Sequence, residues 1–87
     1  MITTWEDLIN KEMNRQGDSW GALVTSTFKE FELTNEFDCG FGESKGTPFT
    51  LWTKTRVYFP VVYDGSEWVA SVSRDPDGVA TSHVGGK

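Results

Sequence analysis

The chain has almost none of the residues that form disulfide cross-links or metal centres in small domains. Its 87 residues include one cysteine, Cys39, and one histidine, His83. A single cysteine cannot form an internal disulfide or a cysteine-based metal cluster, and a free thiol suits a reducing cytosol. A catalytic Cys–His pair needs both groups held within hydrogen-bond reach, which these two distant positions do not indicate. We therefore predict no metal, no cofactor and no enzymatic activity.

Basic charge and long apolar runs are scarce as well. Thirteen acidic residues against eight Lys and Arg give a net charge of −5, whereas nucleic-acid binders normally carry a basic stripe. The start, MITTWEDLINKEM, is acidic where a signal peptide is basic and apolar. No apolar run approaches the roughly 20 residues of a membrane span. We expect a cytoplasmic protein without a membrane partner, and the charge argues against a nucleic-acid partner.

Aromatic residues, by contrast, are abundant. A chain of this length buries only about 60–65% of its unfolded surface, so its core must be efficient. Six Phe, four Trp and two Tyr supply that efficiency, since each aromatic side chain buries roughly 150–250 Å². The composition predicts a single domain over residues 1–87.

The strongest local pattern is a hairpin within FTLWTKTRVYFPVVYDGSEWVASV, residues 49–72. Asp64-Gly65 is typical of a two-residue type I′ turn. Such a turn fixes a register in which one face is apolar, and we expect that face to be the core. Pro60 lacks an N–H, so its nitrogen should face an edge or a bulge. The predicted pairs are Tyr63 with Ser66, Val61 with Trp68, Phe59 with Ala70, and Val57 with Val72.

Residues 3–17 have the pattern of an amphipathic helix. Thr3 with Glu6 has the spacing of a capping box, and Thr4 with Asp7 offers a second frame. Gly17 is a suitable residue to end the helix. Its apolar stripe should pack on Phe59, Val61, Trp68 and Val72. That stripe consists of Trp5, Leu8, Ile9 and Met13.

The remaining segments complete an α+β fold, with one helix on a three- or four-stranded antiparallel sheet. Residues 22–28 predict a strand that extends as far as residue 33 in one interpretation. Residues 34–47 predict a loop, and residues 74–87 a flexible tail. Residues 49–53 predict a further strand turning at about Lys54; a single bent strand over residues 49–63 is the alternative.

Two sets of residues are candidates for a partner site. The first is acidic and would suit a basic partner, although a solvated acidic edge is the simpler interpretation. The second lies on the other face of the hairpin, where exposed apolar side chains would mark a partner surface. The first set is Glu30, Glu32, Glu36, Asp38 and Glu43; the second is Trp52, Tyr58, Val62 and Val69.

The segment PFTLWTKTRVYFPVVYDGSEWVASVSRDP, followed by HVGG, resembles small proteins of tailed bacteriophages and prophages. WEDLI near the start adds to the resemblance. It implies an early or accessory protein located in the host cytosol, of a kind that often inhibits host machinery. It carries over no functional residues, because no activity is attached to this pattern.

The function predicted from the sequence is therefore a non-enzymatic protein-binding module. It would inhibit a host or defence protein that has a basic surface by covering a functional site. A structural protein acting through self-association is the first alternative. A small-ligand or single-stranded nucleic-acid binder that uses the aromatic residues is the second.

Overall fold

Residues 1–40 and 45–85 are described by the computed structural model of this chain, and they form the predicted α+β fold. One helix packs on a four-stranded antiparallel sheet, and a two-stranded sheet lies beside them. The helix is α1 (Trp5–Gln16), and the strands are β1 (Ile2–Thr3), β2 (Leu23–Ser26), β3 (Phe37–Asp38), β4 (Leu51–Thr53), β5 (Arg56–Tyr63) and β6 (Ser66–Ser73).

Both ends of α1 follow from local chemistry. Thr4 is the N-cap, and its hydroxyl accepts a hydrogen bond from the Asp7 N–H at 3.1 Å. The second of the two predicted capping frames is therefore the one used. Gly17 ends the helix with φ 72°, the left-handed conformation that glycine adopts without a steric penalty.

The central hairpin confirms the predicted register. Asp64 and Gly65 both have positive φ, as a type I′ turn requires, and all four predicted pairs are present. Beyond Tyr58, β5 has no partner on its β4 side, so the nitrogen of Pro60 faces no ladder. Residues 54–55 form the predicted turn between β4 and β5.

The large sheet has the order β2-β4-β5-β6, with every neighbouring pair antiparallel. The predicted strand at residues 22–28 is present as β2, but its extension to residue 33 is wrong. Glu30 adopts φ 44°, and a turn over residues 30–34 closes with hydrogen bonds to the Phe31 carbonyl. Residues 74–85 contain no helix or strand.

Residues 34–47 contain a feature that the sequence did not indicate. Phe37–Asp38 pairs with Ile2–Thr3 as a small sheet, which brings the loop against the chain start. Gly46 lies close to the core: a β-carbon there would overlap Trp5 Cζ2 and come within 3.0 Å of Phe37 Cε2. Only glycine fits this position without displacing the tryptophan ring.

The core lies between α1 and one face of the large sheet, called the inner face here. The predicted helix stripe is buried, but it packs on Leu51, Tyr58 and Val69. The prediction that Phe59, Val61, Trp68 and Val72 form the core face is wrong, because these side chains point to the opposite side and are partly exposed. The inner face also carries the hydroxyl groups of Ser71, Thr53 and Tyr58. These hydroxyls donate hydrogen bonds to Glu12 in α1 and to Asp18 just after it, and these bonds favour packing of the helix on this face.

Candidate functional site

The sheet face opposite α1, called the outer face here, is the main candidate surface. The strands point no charged side chain to it. Apart from Ala70, its apolar members are partly exposed. The protein is 19 Å across its thinnest direction, about the thickness of one helix layer and one sheet layer. The apolar members are Trp52, Val57, Phe59, Val61, Trp68, Ala70 and Val72.

The second predicted set of partner-site residues is split between environments. Trp52 lies on the outer face and is partly exposed. Tyr58 and Val69 are 0% and 2% exposed and belong to the core, so their assignment to a partner surface is wrong. Val62 is exposed, at the edge of the inner face. An apolar surface is present, but on the face where the core was expected.

The inner face carries a buried polar network under the second half of α1. Glu12 is 3% exposed, and its Oε2 accepts hydrogen bonds from Ser71 Oγ at 2.7 Å and from Gln16 Nε2 at 3.0 Å. Arg15 pairs with the other carboxylate oxygen of Glu12. Arg56 donates to Ser71 Oγ at 2.8 Å and to the Ser71 carbonyl at 3.1 Å. A buried carboxylate in such a network stays bonded and fixes the helix on β6.

A second network centres on Asp18, just after the helix. Its Oδ2 accepts from Thr53 Oγ1 at 2.6 Å and from Tyr58 Oη at 2.7 Å. Partial burial raises the pKa of Asp18, but the hydrogen bonds from Thr53, Tyr58 and Ser19 outweigh it and hold that pKa below its usual range. Burial, followed by the bond to Asp18, raises the pKa of Tyr58 well above its usual range. Both groups therefore hold this part of the fold together in their ordinary protonation states.

Glu67 is a third buried carboxylate, 6% exposed. Its side chain accepts from the backbone N–H of Lys45 at 2.7 Å and of Gly46 at 3.1 Å. Its own N–H donates to the Cys39 carbonyl at 2.7 Å. Glu67 therefore attaches Cys39, Lys45 and Gly46 to β6.

The predicted acidic set lies partly near the start of α1. The Glu6 N–H donates to the Leu33 carbonyl at 3.0 Å, which places the turn over residues 30–34 beside the first helical turn. Glu30 and Glu36 are exposed, whereas Glu32 Oε1 accepts from the Lys29 N–H at 2.8 Å. Part of the set is therefore a solvated surface, and part stabilises local turns.

Asp38 is the member of the acidic set with the most contacts. It accepts from the α-amino group of Met1 at 2.8 Å and from the Gly40 N–H at 3.1 Å. The first of these bonds, with help from the second, holds the pKa of Asp38 below its usual range. Glu43 lies outside the described residues.

Reactive groups add little to the candidate chemistry. Cys39 is buried as a free thiol, and His83 lies exposed in the segment after β6. Residues 1–40 and 45–85 hold no cluster of three or more His, Cys, Asp or Glu side chains that could bind a metal ion. Among the same residues, no helix has the length and apolar composition needed to cross a membrane.

Sequence reasoning missed the buried carboxylates, although a signal was present. Glu12 lies within the apolar stripe of α1, four residues after Leu8 and three after Ile9. A charged residue inside such a stripe indicates a buried partner across the interface. Asp18 and Glu67 gave no comparable signal. The hydrogen-bond partners of Asp18 Oδ2 and of the Glu67 carboxylate lie 21 or more residues away along the chain, and no periodic pattern in the sequence connects them.

Comparison of the chain with models of protein families, with curated proteins and with solved structures finds no match.

Proposed function

We propose that this protein is a non-enzymatic protein-binding module and that the outer face is its docking surface. The observation that carries the proposal is a charge-free sheet face with two partly exposed tryptophans, Trp52 and Trp68. Exposed apolar patches mark interaction sites. The centres of interfaces are depleted in charge and enriched in aromatic residues.

The charge distribution supports a partner with an apolar patch set in a basic surface. The net charge of −5 attracts basic proteins over distance. Glu30, Glu36 and the first turn of α1 concentrate negative charge away from the outer face. Acidic groups outside the contact would speed association, while the aromatic face would set the dissociation rate.

The resemblance to small phage proteins supports a biological role for such binding. A phage accessory protein of this design would inhibit a host or defence enzyme in the host cytosol by covering a functional surface. Inhibition by covering needs a stable docking face and no catalytic group, which agrees with the residues available on the outer face.

Affinity capture from bacterial lysate, followed by titration of the captured protein in purified form, tests the proposal. Val61→Lys places a charge on the outer face beside Trp68, its partner in β6, and we expect at least tenfold weaker binding. Val62→Lys is the matched control, since the neighbouring Val62 is 49% exposed and points to the inner-face side. Equal affinity of the wild type and Val61→Lys for the purified partner would contradict docking on the outer face.

The acidic surface is tested separately with Glu30→Lys combined with Glu36→Lys. We expect slower association and a weaker dependence on salt, with the dissociation rate almost unchanged. An unchanged association rate would mean that the acidic residues do not attract the partner, and would contradict a partner with a basic surface.

Self-association through the outer face is a second candidate function. A face without charges can pack on its own copy without burying a charged group, and two such sheets would form a sandwich. Sedimentation at two concentrations tests this, with Val61→Lys as the variant that should stay monomeric. A wild-type protein that is monomeric at both concentrations would leave hetero-association as the function.

A further inference from the structure

The free edge of β6 carries backbone groups that can pair with another strand. In the large sheet β6 is the last strand, and β5 is its neighbour along its whole length. Glu67 directs its N–H away from β5, to Cys39. Because hydrogen-bonding direction alternates along an antiparallel strand, the backbone groups of Val69, Ser71 and Ser73 also point away from β5.

These backbone groups are almost unused. Within residues 1–40 and 45–85, no other main chain pairs with Val69, Ser71 or Ser73 at this edge. The Ser71 carbonyl accepts from Arg56 Nη2, which leaves the three N–H groups and the remaining carbonyls free. Unpaired strand edges of this kind are templates for an added strand.

A groove of about 790 Å³ separates this edge from the segment after β6. The chain turns at Gly78, which has φ 74°, and the Val79 N–H bonds Asp77 Oδ1 at 2.9 Å. Residues 79–85 then form the opposite wall of the groove. Six consecutive residues of β6, residues 68–73, line the groove, so it follows about 20 Å of this strand.

The two sides of the groove differ in chemistry. On the helix side lie Glu12, Arg15 and Arg56, and on the outer side lie Trp68 and Val72. Glu12 is bonded to Ser71, Gln16 and Arg15, so the two arginines leave this side with a net positive charge. The other charged residues of the lining are exposed and belong to the segment after β6: Arg74, Asp75 and Asp77. An extended segment in the groove would direct alternate side chains to the two sides.

We propose that this groove binds an extended peptide segment of a partner protein as an added strand beside β6. Acidic side chains of the segment face Arg15 and Arg56, and its apolar side chains face Trp68 and Val72. Backbone hydrogen bonds supply affinity, and the alternation of acidic and apolar residues supplies specificity. This site shares Trp68 and Val72 with the β6 side of the outer face, but its backbone pairing does not depend on docking at Trp52 or Phe59.

The first test uses a blocked eight-residue peptide of alternating valine and glutamate, titrated into the full chain by calorimetry. We expect saturable binding, with at least tenfold weaker binding of a peptide of equal composition that has its four glutamates in one block. Methylating single backbone nitrogens along the peptide should weaken binding at every second position, because alternate N–H groups face β6. Absence of saturable binding, or equal losses at successive positions, would overturn the proposal.

Two variants test the protein side of the groove. Ser73→Pro removes an N–H that points into the groove and leaves the β5–β6 ladder intact, so we expect at least tenfold weaker peptide binding. Arg15→Gln removes one positive charge, and binding should weaken about threefold and depend less on salt. Full affinity in both variants would overturn the proposal.

The variant Val61→Lys separates this site from the outer face. It should bind the peptide like the wild type, since Val61 does not line the groove. A loss of peptide binding in this variant would mean that the peptide docks on the outer face and would overturn the groove as the site. If the peptide binds but Val61→Lys does not weaken binding of the purified partner, the groove rather than the outer face is the binding site of the protein.

Discussion

The two faces of the large sheet reverse the usual relation between polarity and burial. The inner face carries Glu67, Ser71 and Thr53, yet all three side chains are buried. The outer face carries Phe59 and Trp68, yet these side chains remain partly exposed. Hydrophobicity alone would have placed the helix on the outer face.

The difference shows that the helix can cover a polar face when each polar group there has a hydrogen-bond partner within the chain. Each buried polar group on the inner face has a hydrogen-bond partner: Ser71 has Glu12, Thr53 has Asp18, and Glu67 has the Lys45 N–H. No buried side-chain nitrogen or oxygen among the described residues lacks a partner. Burying a bonded polar group costs little, so the apolar outer face remains available for another molecule.

The largest expected effect comes from the apolar centre of the inner face. Leu51→Ala removes a side chain that is 1% exposed, and we expect the free energy of unfolding to fall by about 2–5 kcal/mol. Leu23→Ala is the matched control, since Leu23 is 44% exposed in the neighbouring strand, and it should change stability by less than about 0.5 kcal/mol. Urea unfolding measures both. Equal losses would mean that the inner face is not the core.

The hydroxyl of Tyr58 tests whether the polar groups hold this face together. Tyr58→Phe removes the hydrogen bond to Asp18, and we expect a loss of roughly 1.5–3 kcal/mol, as for bonds to charged groups. Tyr63→Phe removes a hydroxyl from a side chain that is 50% exposed and should leave the urea midpoint unchanged.

The same tyrosine predicts an alkaline limit to stability. Because burial and the bond to Asp18 raise the pKa of Tyr58 in the folded state, its contribution is fully present below the unfolded value of about 10. Above that pH the unfolded state loses the proton first, so the free energy of unfolding should fall as pH rises. Urea unfolding between about pH 8 and 11 should show a smaller fall in Tyr58→Phe. Parallel curves would contradict the raised pKa.

Substitution of Glu67 by Gln should have a somewhat smaller effect on stability, because one acceptor oxygen remains. Glu67→Gln turns an amide donor toward the N–H groups of Lys45 and Gly46, and we expect a loss of about 1–3 kcal/mol. Hydrogen exchange at Gly46 should accelerate along with it. Glu36→Gln is the control, since Glu36 is exposed. A variant as stable as the wild type would mean that Glu67 does not anchor the loop.

The sequence was sufficient where neighbouring residues decide the structure, as at the final Gly17 and at the Asp64-Gly65 turn with its register. At the helix start it offered two frames, and the second, Thr4 with Asp7, is the one present. The sheet face that α1 covers was predicted wrongly, since both faces of the hairpin hold valines and aromatic rings. It depends on Glu12 and Asp18, which lie far along the chain from their partners.

The candidate site was predictable only in kind. Alternation along β5 and β6 indicated one covered and one open apolar face, but nothing local decides which is which. The groove beside β6 was missed, because residues 74–87 were interpreted as a tail. The groove lies between the unpaired edge of β6 and residues 79–85, which follow the turn at Gly78. The sequence alone does not indicate that these two segments lie opposite each other.

The smallest expected effect is also the most direct comparison of the two faces. Thr has nearly the shape of Val, so Val69→Thr and Val61→Thr differ mainly in where they place a hydroxyl. Val69 is 2% exposed under α1, and an added hydroxyl there should cost about 1 kcal/mol or somewhat more. On the partly exposed outer face, Val61→Thr should cost close to nothing in dilute protein, because water solvates the hydroxyl. If the cost at Val61 rises with protein concentration in urea unfolding, a second copy covers the outer face. Equal costs at all concentrations would mean that the chain itself covers both faces.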